Sequence, residues 1–104
     1  MVDREKALPI FYNRTPDAEA RAAVARLAPE PLAALTTPLR ITGERFGRVP
    51  RAYIECTDDR ALSLDMQREM QTALPCDPVA SLKSDHSPFY SAVEELAHEL
   101  LKLA

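Results

Sequence analysis

Two stretches of this chain read as β-strands, and a helix separates them. Val49 to Cys56 is rich in β-branched and aromatic residues and begins beside Pro50, which is tolerated near a strand's first position. Pro78 to Lys83 is the second stretch. Between them Ser63 can cap a helix that carries Leu64, Met66, Met70 and Leu74 and stops at Pro75. Strand, helix, strand implies a parallel pair joined by a crossover. A parallel sheet needs cover on both faces and further strands, which two short strands do not supply. The expectation is an α/β fold of which these residues form one piece.

The remaining elements are helical. Asp3 to Tyr12 reads as a short helix interrupted by Pro9, and Thr15-Pro16-Asp17 as a helix start, with Thr15 as cap and Pro16 at the first helical position. Ala20, Ala23, Val24 and Leu27 then share one face, ending before Pro29. Three prolines between Pro29 and Pro38 leave room only for a helical turn at Leu32 to Leu35, within a connecting, lid-like stretch. Ser91 and Glu94 form a capping box ahead of an apolar face of Val93, Leu96, Ala97, Leu100 and Leu101. The chain divides into a helical segment and linker over residues 1–47 and the strand-helix-strand-helix part over 48–104.

Composition removes several functional classes. A net charge of −3 with basic residues scattered among acids gives no field for gathering phosphates, so nucleic acid is not an expected partner. No apolar run approaches the roughly 20 residues that cross a bilayer, and Met-Val-Asp-Arg-Glu-Lys carries no apolar export signal, so the expectation is a cytoplasmic chain. Cys56 and Cys76 have no partner spacing for a zinc site and read as a buried small residue and a loop thiol. Neither metal nor cofactor is expected. Glycine is scarce, at two against nine prolines, whereas a complete α/β enzyme spends glycines on tight turns and oxyanion loops.

Each strand runs straight into a polar loop, Thr57-Asp58-Asp59-Arg60 after the first and Ser84-Asp85-His86-Ser87 after the second. Open α/β sheets place their chemistry at this carboxyl edge. A carboxylate accepting the Nδ1 proton of an imidazole fixes its tautomer and leaves Nε2 as a general base. Taken alone, a loop histidine more often bonds its neighbours, and Asp58 or Asp59 could equally cap the next helix. Asp85 reads as structural, satisfying the N–H groups of its loop. His98 reads as solvated surface, and the Met66 and Met70 pair as core.

The run Arg48-Val-Pro-Arg-Ala-Tyr-Ile-Glu-Cys-Thr-Asp-Asp-Arg-Ala-Leu, the helix with Gln67, and Asp85-His86-Ser87-Pro88-Phe89 resemble the end of the methylesterase and hydroxynitrile-lyase-like branch of α/β-hydrolases. Phe11 to Gly47 is similar to that branch's cap, so residues 1–47 read as cap-like and 48–104 as the C-terminal part of the core. The resemblance implies that Asp59 is the triad acid and His86 the triad base, with Phe11, Tyr12, Leu32 and Phe89 lining the substrate pocket. The family's Gly-x-Ser-x-Gly nucleophile elbow and His-Gly oxyanion loop are not found here, and none of the five serines has flanking glycines at that spacing. Hydroxynitrile lyases of the branch carry lysine after the triad histidine. Ser87 stands there instead, which favours the esterase side.

The expected function is therefore that of a partial serine carboxylic-ester hydrolase with acid and base but no nucleophile, inactive alone. It would take a small-molecule ester only when completed by an N-terminal half, including one supplied by a second chain. The competing expectation is a non-catalytic interaction module that self-associates or completes a partner's sheet, because an incomplete parallel sheet leaves apolar surface uncovered.

Overall fold

A computed structural model describes residues 3–104; Met1 and Val2, which belong to the N-terminal segment and to the sequence start read above, lie outside the described residues. Two strands, β1 (Tyr53–Cys56) and β2 (Val79–Leu82), pair in parallel with Tyr53 opposite Val79 and Cys56 opposite Leu82. Both are shorter than their apolar runs. The ladder extends one step beyond β1, where Thr57 N–H donates to the Leu82 carbonyl (2.9 Å), and Asp58 N–H then donates to Ser84 O (3.0 Å). The first residues of both polar loops are thereby tied together.

Among the described residues six α-helices accompany the pair, with a 3-10 turn over Phe46–Arg48: α1 (Arg4–Phe11), α2 (Asp17–Ala25), α3 (Leu32–Thr36), α4 (Leu64–Ala73), α5 (Pro88–Ser91) and α6 (Val93–Leu103). Helix α1 packs on α2 and α4 on β1, while α6 lies against β2. Small side chains let α1 and α2 approach closely, and Ala7, Ala20 and Ala23 are all buried. Asp3 caps α1 by accepting from Glu5 N–H (3.0 Å). Pro9 does not interrupt this helix, contrary to the sequence reading. The bond it forfeits would go to the carbonyl of Glu5, an exposed residue on the outer side of the helix pair where water is at hand.

Three further expectations are corrected. Thr15 does not cap α2, whose N-terminus has no side-chain cap; its hydroxyl is spent on Asp85. Ser91 likewise forms no capping box. It ends the short α5, and α6 starts uncapped after Ala92. Met66 and Met70 are not core, being 52% and 49% exposed. Helix α4 instead meets β1 through Gln67, whose amide accepts from Cys56 N–H and donates to the carbonyls of Cys56 and Leu62, all at 2.9 Å. Ser63 does cap α4, as the sequence predicts, and the turn at Leu32 forms as α3.

Candidate active site

Asp59, the expected acid, is positioned by the turn that ends β1. Asp59 Oδ1 accepts from Ala61 N–H (2.8 Å) and Leu62 N–H (2.9 Å), a local arrangement that a short carboxylate side chain makes with its own following backbone. This fixes the carboxylate and leaves Oδ2 free, and Oδ2 lies 2.8 Å from His86 Nδ1. The Asp59 carboxylate is 5% exposed and the His86 ring 42% exposed. A carboxylate only accepts, so Nδ1 is the donor of this bond, and in the neutral imidazole the lone pair then lies on Nε2. Asp58, the neighbouring candidate, turns to an ion pair with Arg14 (2.8 Å).

Asp85 anchors the histidine loop from beneath. It is fully buried, and its four bonds come from Arg14 N–H and the Thr15 hydroxyl to Oδ2 (both 2.9 Å), and from Ser87 N–H (2.9 Å) and the Ser91 hydroxyl (2.8 Å) to Oδ1. Burial alone would push this carboxyl up, but the donors outweigh it and hold the group below its ordinary value. Its structural reading in the sequence agrees with this, although two of the four donors lie some 70 residues away, in a segment the sequence does not connect with it.

Of the four pocket candidates, Phe11 meets the histidine directly, with ring centroids 5.3 Å apart. Tyr12 packs edge-on against Tyr90 at 6.1 Å, and burial pushes its phenol up. Phe89 stacks at a tilt on Tyr90 (5.1 Å) yet is 58% exposed, and Leu32, on α3, is 71% exposed. Two shallow depressions of about 630 and 470 Å³ run along α4, lined by Arg68 and Thr72 among others, and neither includes Asp59 or His86. Ser84 and Ser87 are buried within the histidine loop, and Ser81 and Ser91 are bonded to Glu55 and Asp85. Among the described residues the His86 ring makes its hydrogen bond to Asp59, with no serine partner.

Among the described residues no cluster of three metal-ligating side chains occurs, and no helix is long and apolar enough to cross a membrane. Both cysteines are free thiols, and burial pushes that of Cys56 up.

No family model matches the chain. It is 33% identical over 96 residues to putative methylesterase 14, chloroplastic, of Arabidopsis thaliana, covering 91% of this chain and 28% of that protein. Methylesterase 9 of the same plant is 35% identical over 80 residues, 76% of this chain and 31% of its own length. The chain thus spans under a third of these curated relatives. Among solved structures, polyneuridine aldehyde esterase superposes with a TM-score of 0.89 over 99% of this chain and 42% of its own, at 23% identity, which speaks for the fold alone. A methylesterase protein from Arabidopsis gives 0.90 over 99% and 44%, at 25% identity. Together the sequence relatives and fold neighbours indicate the methylesterase-like family of α/β-hydrolases, of whose chains these residues match only a part.

Proposed function

We propose that this chain supplies the acid and the base of a serine carboxylic-ester hydrolase acting on small-molecule esters, and that its 104 residues alone do not turn such esters over. The observation that carries the reading is the 2.8 Å contact between Asp59 Oδ2 and His86 Nδ1 at the carboxyl edge of the parallel strands. In that arrangement Nε2 accepts the proton of a serine hydroxyl as its oxygen attacks the ester carbonyl, and Asp59 stabilises the resulting imidazolium. His86 then returns the proton to the departing alcohol, and a water activated in the same way releases the acid from the acyl-serine. The serine and the oxyanion donors come from a segment or chain outside these residues. The cap-like role of residues 1–47, the pocket roles of Phe11, Tyr12, Leu32 and Phe89, and a cytoplasmic location belong to the same proposal.

The test is hydrolysis of p-nitrophenyl acetate by the purified chain, alone and mixed with the N-terminal portion of a methylesterase relative that it does not match. The expected result is no turnover alone, and turnover in the mixture that His86→Ala and Asp59→Asn each reduce by a factor on the order of 10³ or more. Titratable hydrolysis by the chain alone, abolished by His86→Ala, would refute the inactivity. Mixture activity indifferent to both substitutions would refute the assigned roles. A second reading, an interaction module that self-associates, is favoured by the apolar side chains left at the surface, including Leu100 (51%) and Leu101 (76%) on α6.

A further inference from the structure

Acid and base sit on two separate loops, and one short turn between α1 and α2 reaches both of them. Asn13 Nδ2 donates to the backbone carbonyl of Asp58 (3.0 Å), and Arg14 Nη1 pairs with the Asp58 carboxylate (2.8 Å). The same turn then bonds the other loop, through Arg14 N–H and the Thr15 hydroxyl, both to Asp85 Oδ2 at 2.9 Å. Asp58 precedes the acid by one residue and Asp85 precedes the histidine by one residue. Phe11, at the end of α1, adds its ring against His86 at 5.3 Å.

We infer that Asn13, Arg14 and Thr15 are positioning residues: together with Asp85 they staple the acid loop to the histidine loop and set the Asp59–His86 distance. The inference rests on the acid–base reading above and deepens it. Chemistry explains why the staple uses these groups. Thr15 is buried and Asp85 fully so, and a buried carboxylate oxygen left without a donor is costly, so the loop position in which Arg14 N–H and the Thr15 hydroxyl reach Oδ2 is favoured. Arg14 and Asp58 are partly exposed, with side chains 43% and 34% accessible, so that side of the staple is the weaker one.

The experiment reads the imidazole itself, so it needs no completed enzyme. Nitrogen-15 NMR of the whole chain above the imidazole's titration range reports the ratio of Nδ1–H to Nε2–H tautomer at His86, with His98 assigned by substitution. Thr15→Val keeps shape and loses the donor, Thr15→Ser keeps the donor, and Asp85→Asn cannot accept at both oxygens. Thr15→Val is expected to lower the Nδ1–H to Nε2–H ratio about fivefold, the equivalent of one hydrogen bond, and Thr15→Ser to restore it. Asp85→Asn should lower it further. Ser81→Ala, which removes a hydrogen bond to Glu55 under α4, should leave the ratio unchanged. Should Thr15→Val fail to fold, Asn13→Ala provides the same reading from the Asp58 side. A folded Thr15→Val or Asn13→Ala chain with an unaltered ratio overturns the staple while leaving the acid–base pair intact. An unsubstituted chain with no Nδ1–H preference overturns the pair and the staple together, whereas that preference combined with an inactive mixture overturns only the esterase reading.

Discussion

Glu55 shows how much a single buried carboxylate depends on what surrounds it. Only 4% exposed, it receives Arg68 Nε and Nη2 (3.3 and 3.1 Å), Gln71 Nε2 (3.2 Å) and, from the cross-strand position, the Ser81 hydroxyl (2.7 Å). The Arg68 and Ser81 bonds lead in holding its carboxyl down from 4.5 to about 2, against the opposing effect of burial. A folded-state value below the unfolded one means that the unfolded chain binds more protons between the two, so stability rises with pH there. The contribution is complete above about 4.5 and is lost as pH falls through about 2. Because the Arg68 side chain is 58% exposed, the contribution is on the order of 1–2 kcal/mol and not the full value of the shift. Asp85, also lowered, adds in the same direction. Urea midpoints should therefore drop between pH 5 and pH 3, and Glu55→Gln should flatten that slope; a wild-type midpoint constant over this range would contradict the assignment.

At the scale of elements, β1 is held on its two edges by different kinds of partner. Tyr53 N–H and Thr57 N–H donate toward β2, so the alternate groups of Cys56 face away from it. There the Gln67 amide takes the place of a neighbouring strand, accepting from Cys56 N–H and donating to its carbonyl. Gln67 is itself 2% exposed. Gln67→Leu fills similar space but leaves buried backbone groups unpaired, and it should destabilise the fold by about 2–4 kcal/mol in urea or thermal melts. A change below about 0.5 kcal/mol would show that water replaces the amide fully. The α4 register was legible in the sequence, from Ser63 to Pro75, but the buried face was not: hydrophobic spacing selects Met66 and Met70, and backbone demand at Cys56 selects a polar residue one and three positions away.

The whole molecule is looser than an independent domain of its length. Its radius of gyration is 15.4 Å, against roughly 13 Å for a compact chain of about 100 residues. Every residue from 28 to 50 is exposed, including Leu32, Leu35, Leu39 and Ile41, and α6 leaves Val93, Leu100 and Leu101 at the surface. On the proposal that this surface is covered in a larger assembly, the isolated chain should self-associate in light scattering at micromolar concentration. Replacing Val93, Leu100 and Leu101 by glutamine should then shift it toward monomer. A monodisperse monomer with a cooperative melt would remove the need for a partner. The sequence by itself determined the strand-helix-strand order, the parallel pairing and the polar loops at the carboxyl edge, because strand propensity, caps and prolines are local signals. It marked Asp59 and His86 through their neighbours, and left Asp58 as an alternative. Only the tertiary structure gave the two different partners, Arg14 for Asp58 and His86 for Asp59. It also moved Thr15 and Ser91 from helix caps to donors for Asp85. A hydroxyl serves whichever acceptor is buried and unsatisfied, and a contact between positions 15 and 85 leaves no trace in local spacing.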